Sequence, residues 1–296
     1  MVFINRFLFV FIFCLVTFNV SSQKALDFFN LNYTTLPNAN FKNKQGKVSL
    51  NTYDFNLITP TLKLKSKTKI NNTIYYRFSK YDFDIMPLSN IQLPSELHEI
   101  KYMALFRYTF NKNYEALFVP RCNIRSDFKS KFSTKDIFPS VAAIFMKISQ
   151  KNENFKWGLG LNYNNDLGKN SFMPIIAFKF SDEKMRFNAF FPNNATLVLM
   201  PNERLEYGIA FTTDPTLSHI NTVDGIQYLR TLNVNLNPTF SYNISSNVWL
   251  NLKAGVVLKR KYDLYNSDFE TPSDDYENKL KPSAYIQVGF SLRSKE

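Results

Sequence analysis

Apolar and polar residues alternate one by one along most of the chain. Within residues 154–166, Phe155, Trp157, Leu159, Leu161 and Tyr163 are interleaved with Lys156, Gly158, Gly160, Asn162 and Asn164. Period two is the signature of a β-strand, whose successive side chains point to opposite faces. The same spacing sets Ile100, Tyr102, Ala104, Phe106, Tyr108 and Phe110 against Glu99, Lys101, Arg107 and Thr109. Further on, Ala116, Phe118, Pro120, Cys122 and Ile124 oppose Arg121, Asn123 and Arg125. Leu232, Val234, Leu236 and Phe240 oppose Asn233, Asn235, Asn237 and Thr239. Near the end, Leu250, Leu252, Ala254 and Val256 oppose Asn251, Lys253 and Gly255, and Ile286, Val288 and Phe290 oppose Gln287, Gly289 and Ser291. Helical spacing fails throughout, so the pattern predicts a chain that is nearly all β.

The connections carry a second pattern. "NKN" at 111–113, "KNEN" at 151–154, "SDEK" at 181–184, "PNER" at 201–204 and "ISSN" at 244–247 are tight polar turns. Between them fall generally longer stretches at 81–97, 128–137, 165–170, 213–224 and 263–280, with the short "PNNA" at 192–195 taking the place of one. Alternating short and long connections, with strands near ten residues, describe a transmembrane antiparallel up-and-down β-barrel. The count comes to about twelve strands, within a range of ten to fourteen. Two places leave it open. "VSLNTYDFNLITP" and "TLKLKSK" read either as one interrupted strand or as a hairpin broken at Pro60, and the segments flanking "PNNA" are short. Residues 23–45, weakly periodic and rich in Asn, are expected to form an irregular leader, and 46–296 the barrel.

Export fits that destination. Asn5 and Arg6 precede the apolar run "FLFVFIFCLV", with Val20 and Ser22 as small residues before a cut near residue 22. Ten apolar residues are too few for a spanning helix, so residues 1–22 are expected to be a signal peptide. Cys14 would leave with it, so Cys122 would remain without a disulfide partner. The expected location is the outer membrane of a Gram-negative bacterium. The partners would be its lipid and lipopolysaccharide, with the barrel assembly machinery during biogenesis. The formal charge of +12 then speaks for lipopolysaccharide phosphates or anions in a pore rather than nucleic acid.

A secreted β-sandwich also alternates, but its strands average five or six residues. Longer segments and aromatics near their ends, such as Tyr75, Tyr76, Tyr108, Phe110, Phe155 and Tyr163, favour a membrane barrel. Gly158 and Gly160 would then make room in its interior for long side chains of neighbouring strands.

Candidate chemistry is sparse. His98 and His219 are the two histidines, and Ser95, Asp214, Ser218 and Asp224 form no recognisable constellation around them. No catalytic residue, metal site or cofactor is therefore assigned, and the acidic stretch "NSDFETPSDDYEN" lacks the ligand spacing of an EF-hand loop. The charged residues of the polar faces stand out instead. Lys101, Arg107, Arg121, Arg125, Lys147, Lys156, Lys179, Arg186 and Lys253 are expected to line the lumen, with Glu99 and Glu206 as its clearest acids. Such a lumen would suit a small passive pore favouring anions. A non-conducting barrel acting through its loops is the alternative, and an outer-membrane hydrolase a third reading.

"WGLGLNYNNDLGKNSFMPIIAFKF", with Pro174 near its second strand, "NNTIYYRFSKYDFD" and "YIQVGFSLR" together resemble an uncharacterised family of outer-membrane β-barrel proteins known mainly from Bacteroidota. The resemblance covers most of the mature chain. It implies the barrel but assigns no activity and no functional residues.

Overall fold

A computed structural model of the protein describes residues 27–42, 45–84, 93–166, 170–222, 225–271 and 278–293. The expected signal peptide, 1–22, lies outside them. The strands are β1 (Asp27–Asn40), β2 (Lys47–Ile58), β3 (Leu62–Lys65), β4 (Thr68–Phe83), β5 (Glu96–Asn111), β6 (Tyr114–Ser126), β7 (Ile137–Ile148) and β8 (Phe155–Asn164). They continue with β9 (Ser171–Ser181), β10 (Met185–Phe191), β11 (Asn194–Asn202), β12 (Leu205–His219), β13 (Tyr228–Ser245), β14 (Val248–Tyr265), β15 (Lys279–Leu280) and β16 (Ser283–Arg293).

Neighbours in sequence pair antiparallel, and β1 pairs with both β2 and β16, which in turn pairs with β14. The sheet therefore closes on itself. With the short β3 and β15 set aside, which pair with β4 and β14, 14 strands form the barrel among the described residues. The count of about twelve was thus low. One reason lies at the start: within the stretch expected to be an irregular leader, Asp27–Asn40 is a full strand that completes the ring. Asn30, Asn32 and Asn38 weaken its sequence signal, but an N-terminal strand held by hydrogen bonds on both edges needs little intrinsic preference. At Pro60 the interrupted-strand reading holds: β2 and β3 run in the same direction and both pair antiparallel with β4, β2 from Val48 with Phe83 to Ile58 with Thr73 and β3 from Leu62 with Ile70.

Up-and-down order sends the tight turns to one end, here the turn end, and the longer connections to the other, the loop end. Over the turn-end part of the barrel the outer face is apolar. Tyr33, Tyr53, Ile74, Tyr102, Phe118, Phe145, Trp157, Leu161, Ile209, Phe240, Leu252, Val288 and Phe290 all stand exposed there, and Phe172 is 73% exposed. The inner face at the same level is largely polar.

Towards the loop end the polarity inverts along the same strands. In β2, Tyr53 faces out and Thr52 and Asp54 face in, but Val48 and Leu50 are buried inside while Lys47, Ser49 and Asn51 look out. In β4, exposed Tyr76 gives way to buried Tyr81, with Lys80 and Asp82 outside. In β14 a bulge opposite Val234 and Asn235 makes the switch, after which Tyr262 and Leu264 are buried and Lys259 is exposed. One extra residue moves every later side chain to the opposite face.

This upper tier has its own closure. His219, the last residue of β12, pairs in parallel with Ser126, the last of β6. The bridge bypasses β7 to β11, so the upper ring consists of β12, β13, β14, β15, β1, β2, β4, β5 and β6, with Phe41 just after β1 bridging to Leu280 of β15. Its interior is an apolar core of Leu36, Val48, Leu50, Tyr81, Leu97, Leu229, Val257, Tyr262 and Leu264, capped by Leu93, Ile220 and Ile226 from the connections.

Gly158 and Gly160 of β8 face the lumen, as expected. A Cβ at Gly158 would lie 2.5 Å from Met146 Sδ, and one at Gly160 would lie 2.8 Å from Ile144 Cγ1. The glycines let those two side chains lie flat against the wall. They belong to an apolar patch with Leu117, Val119, Ala142, Ile175 and Ala177 on the inner side of β6 to β9.

Candidate functional site: a polar chamber beneath an apolar plug

Below the upper core the lumen widens into a chamber of about 380 Å³. β1, β2 and β4 contribute Thr34, Thr52, Asp54 and Arg77, and β5 and β6 contribute Lys101, Arg121, Asn123 and Arg125. Asn162, Asn164 and Asp166 come from β8 and the residues after it, and Asn233, Asn235, Lys253, Tyr285 and Gln287 from β13, β14 and β16. Asn193 and Asn194 of the β10–β11 hairpin also reach it. That hairpin is the lowest part of the rim, because β10 ends at Phe191 and β11 starts at Asn194, whereas β12 to β14 rise into the upper tier.

Two ion clusters brace the chamber wall. Arg125 Nε donates to Glu99 Oε1 at 2.9 Å and its Nη1 donates to Asp166, while Lys101 Nζ lies 3.2 Å from the same Glu99 oxygen. On the adjoining strands, Arg77, which stands opposite Glu99 in the β4–β5 pairing, donates from Nε to Asp54 Oδ1 at 2.7 Å and from Nη1 to Asp214 of β12. At the turn end a third set crosses several strands. Arg186 and Arg293 both meet Glu206, at 3.1 and 2.9 Å, Arg293 also binds Asp27, and Lys156 reaches Glu115 at 3.1 Å. In a lumen of reduced dielectric, such pairs neutralise charges that would be costly alone.

A model of the family described as a domain of unknown function (DUF6268) matches residues 18–293. The chain belongs to that family. No curated protein matches the sequence of this DUF6268 member. Among solved structures, it is similar to an outer membrane channel from Pseudomonas putida F1, at 10% identity over 93% of this chain and 98% of the other, with a TM-score of 0.45. It is also similar to the translocator domain of the autotransporter NalP from Neisseria meningitidis, at 9% identity over 93% and 90% of the two chains, with a TM-score of 0.34. For the toluene transporter TodX of Pseudomonas putida the values are 7% identity, 90% and 80% coverage, and a TM-score of 0.35.

In this DUF6268 barrel, all the expected lumen cations but one face inward. Lys147 is the correction. It is exposed, paired in register with the outward Trp157, while Ala142, Ile144 and Met146 take the inner positions of β7. β7 is apolar on both faces, so its alternation does not reveal which side is inside. Lys101, Arg121, Arg125 and Lys253 meet in the chamber, whereas Lys156 and Arg186 belong to the turn-end set with Glu206. Arg107 and Lys179 face in without an ion pair among the described residues. As lumen residues, Arg77, Asp54, Glu115, Asp214 and Arg293 were not among those expected from the sequence. Arg77 and Asp54 carry the signal in hindsight, since each shares the parity of polar neighbours between outward Tyr and Phe.

The histidines serve the loop end. His98 faces outward, stacked with Tyr76 and tilted against Phe78 and Phe128. His219 Nδ1 lies 2.8 Å from Asp136 Oδ1, tying the β6–β7 connection to the end of β12. Burial pushes the Asp136 carboxyl up, but the Ser133 backbone N–H and the His219 and Ser126 side chains more than offset this and hold it below its usual range. Ser95 and Ser218 make no hydrogen bond to either imidazole, and Asp224 lies outside the described residues. Among those residues no group of three or more metal-ligating side chains forms.

Proposed function

We propose that the protein is an outer-membrane β-barrel channel for small polar solutes, with a lumen that favours anions. One observation carries this reading: a polar chamber of about 380 Å³ lies inside a wall whose outer face is apolar and exposed at the same level. In water, so continuous an apolar band would aggregate, while lipid satisfies it and the closed sheet leaves no unpaired edge. Aromatics border the band, with Tyr108, Phe110, Trp157 and Tyr242 towards the turns and Tyr76 and Phe172 towards the loops. Above it, the outward and exposed Lys47, Lys80 and Lys259 are placed to meet anionic headgroups such as lipopolysaccharide phosphates.

The upper core closes the axial mouth. Solutes therefore enter the chamber over the low rim at Asn193 and Asn194, beneath the Ser126–His219 bridge. Arg121 and Lys253 line the chamber without an ion pair among the described residues, and these positive charges supply the anion preference. Planar-bilayer recording tests the proposal. Discrete conductance steps are expected, with a reversal potential in a KCl gradient on the anion side. Arg121→Glu with Lys253→Glu should move that potential towards the cation side. Silence over many insertions of folded protein would overturn the channel and favour the second reading, a closed barrel acting through its loop end, which the filled upper tier supports.

A further inference from the structure

The β6–β7 connection, residues 127–136, presents aromatic and basic side chains to its surroundings. Phe128 and Phe132 are 39% and 58% exposed, and Lys129, Ser130, Lys131 and Lys135 are exposed beside them. The two acids of the connection do not balance its lysines. Asp127 accepts from the backbone N–H and the Nδ2 of Asn221, at 3.0 and 2.6 Å. Asp136 lies 2.8 Å from His219 Nδ1 and accepts from the Ser133 backbone N–H at 2.6 Å. Both carboxylates are buried, and they fasten the connection at each end to the last residue of β12 and the stretch after it. None of the three lysines forms an ion pair among the described residues.

Two further observations say what this surface meets. Phe128 is held at φ +48°, a left-handed conformation that a bulky residue seldom adopts and that persists only where its surroundings impose it. There its ring lies 5.5 Å from that of His98, which stacks on Tyr76 at the loop-side border of the apolar band. The connection therefore starts against the outer wall, beside the aromatics that mark a headgroup region. It also forms one side of a cavity of about 340 Å³, with Ser130, Lys131, Ser133 and Lys135 facing Asn221 and Gln227. No carboxylate lines that cavity among the described residues. Ammonium and hydroxyl groups converging on a space without acids suit a phosphate. A free phosphate would leave the phenylalanines in water, whereas a phosphorylated lipid uses both features.

We propose that the β6–β7 connection and this cavity form a specific binding site for lipopolysaccharide, with a phosphate of its lipid A held by Lys131 and Lys135 and acyl chains against Phe128 and Phe132. Lys47, Lys80 and Lys259 are single charges spread over three strands, whereas here the charges share one fastened connection and a cavity. The inference rests on the outer-membrane reading and is independent of conduction.

Titration of the full-length barrel in detergent with lipid A, dephosphorylated lipid A and phosphatidylglycerol, each in mixed micelles, tests it. Lipid A is expected to bind at least about tenfold more tightly than either of the others, and inorganic phosphate should not displace it. Lys131→Glu with Lys135→Glu should weaken lipid A binding at least about tenfold, because like charges then face the phosphate. Lys47→Glu with Lys80→Glu changes the net charge equally and should cost less than about threefold, since scattered exposed charges are screened. Phe132→Ser should weaken binding several-fold. Equal losses in the two lysine pairs would overturn the proposal, as would equal affinity for dephosphorylated lipid A or phosphatidylglycerol, or displacement by phosphate. The comparison of lipids on the unaltered protein stands even where a variant does not fold. A barrel that inserts into vesicles but shows no lipid A preference would remove this site alone, whereas one that does not insert would remove the outer-membrane reading beneath it.

Discussion

Replacing Tyr262 and Leu229 together by alanine is expected to raise the conductance of the reconstituted barrel several-fold. Both side chains are essentially buried, at 2% and 0% exposure, in the core that fills the upper tier. Tyr262 packs edge-on against Tyr81 and Phe83, with ring centroids 5.4 and 5.6 Å apart. Around them the upper strands turn polar faces outward, so this tier stands in water and its core closes the axial route to the chamber, leaving the narrower way over the rim at Asn193 and Asn194. Removing an aromatic and a leucine from such a core leaves a void and costs about 3–5 and 2–5 kcal/mol respectively. The melting temperature in detergent should therefore fall while the lower barrel stays folded. A lower melting temperature with unchanged conductance would show that the axial mouth is not where solute flow is limited.

Arg125→Ala is expected to destabilise the barrel more than any other single change at the chamber. The Arg125 side chain is only 5% exposed and Glu99 only 6%, and the same guanidinium also binds Asp166. Truncation strands two carboxylates, leaving Lys101 as the direct ion-pair partner of Glu99 among the described residues, with Arg77 on the neighbouring strand. Breaking a buried pair from one side costs about 3–5 kcal/mol, mostly from the uncompensated charge. If that is the cause, Arg125→Met combined with Glu99→Gln should recover much of the loss, because both charges then leave together. Arg121→Ala, at a residue whose Nε has no partner to lose, should shift the melting temperature far less. Thermal unfolding of the three variants followed by circular dichroism decides it, and equal losses at Arg121 and Arg125 would contradict the assignment of roles.

Much of the barrel was readable from period two and from the order of turns, since a strand with lipid on one side and water on the other must alternate. β8 is the clearest case, where Trp157, Leu159 and Leu161 face out and both glycines face in. What escaped was the inversion. In "KVSLNTYDFNLI" the apolar parity passes from Val48 and Leu50 to Tyr53, Phe55 and Leu57. Treated as one failing pattern, it looks like a broken strand; as two patterns in opposite phase, it marks where the wall leaves the membrane and begins to enclose a dry core. β1 was lost because its asparagines dilute the same signal. Lys147 was misplaced because β7, apolar on both sides, offers no contrast. The ion clusters lay further out of reach, since Arg77 and Asp214 are brought together only by closure of the ring.

The chain carries one tryptophan on each face. Trp157 stands on the outer face, 40% exposed, and Trp249 is turned inward at 8%, its ring under the Arg293 guanidinium at 4.0 Å. Single-tryptophan variants Trp249→Phe and Trp157→Phe, reconstituted in vesicles with brominated acyl chains, read directly which face meets lipid. Strong quenching of Trp157 with little effect on Trp249 is the predicted result. Trp157 emission unaffected by the bromolipid would contradict the membrane barrel on which the rest is built.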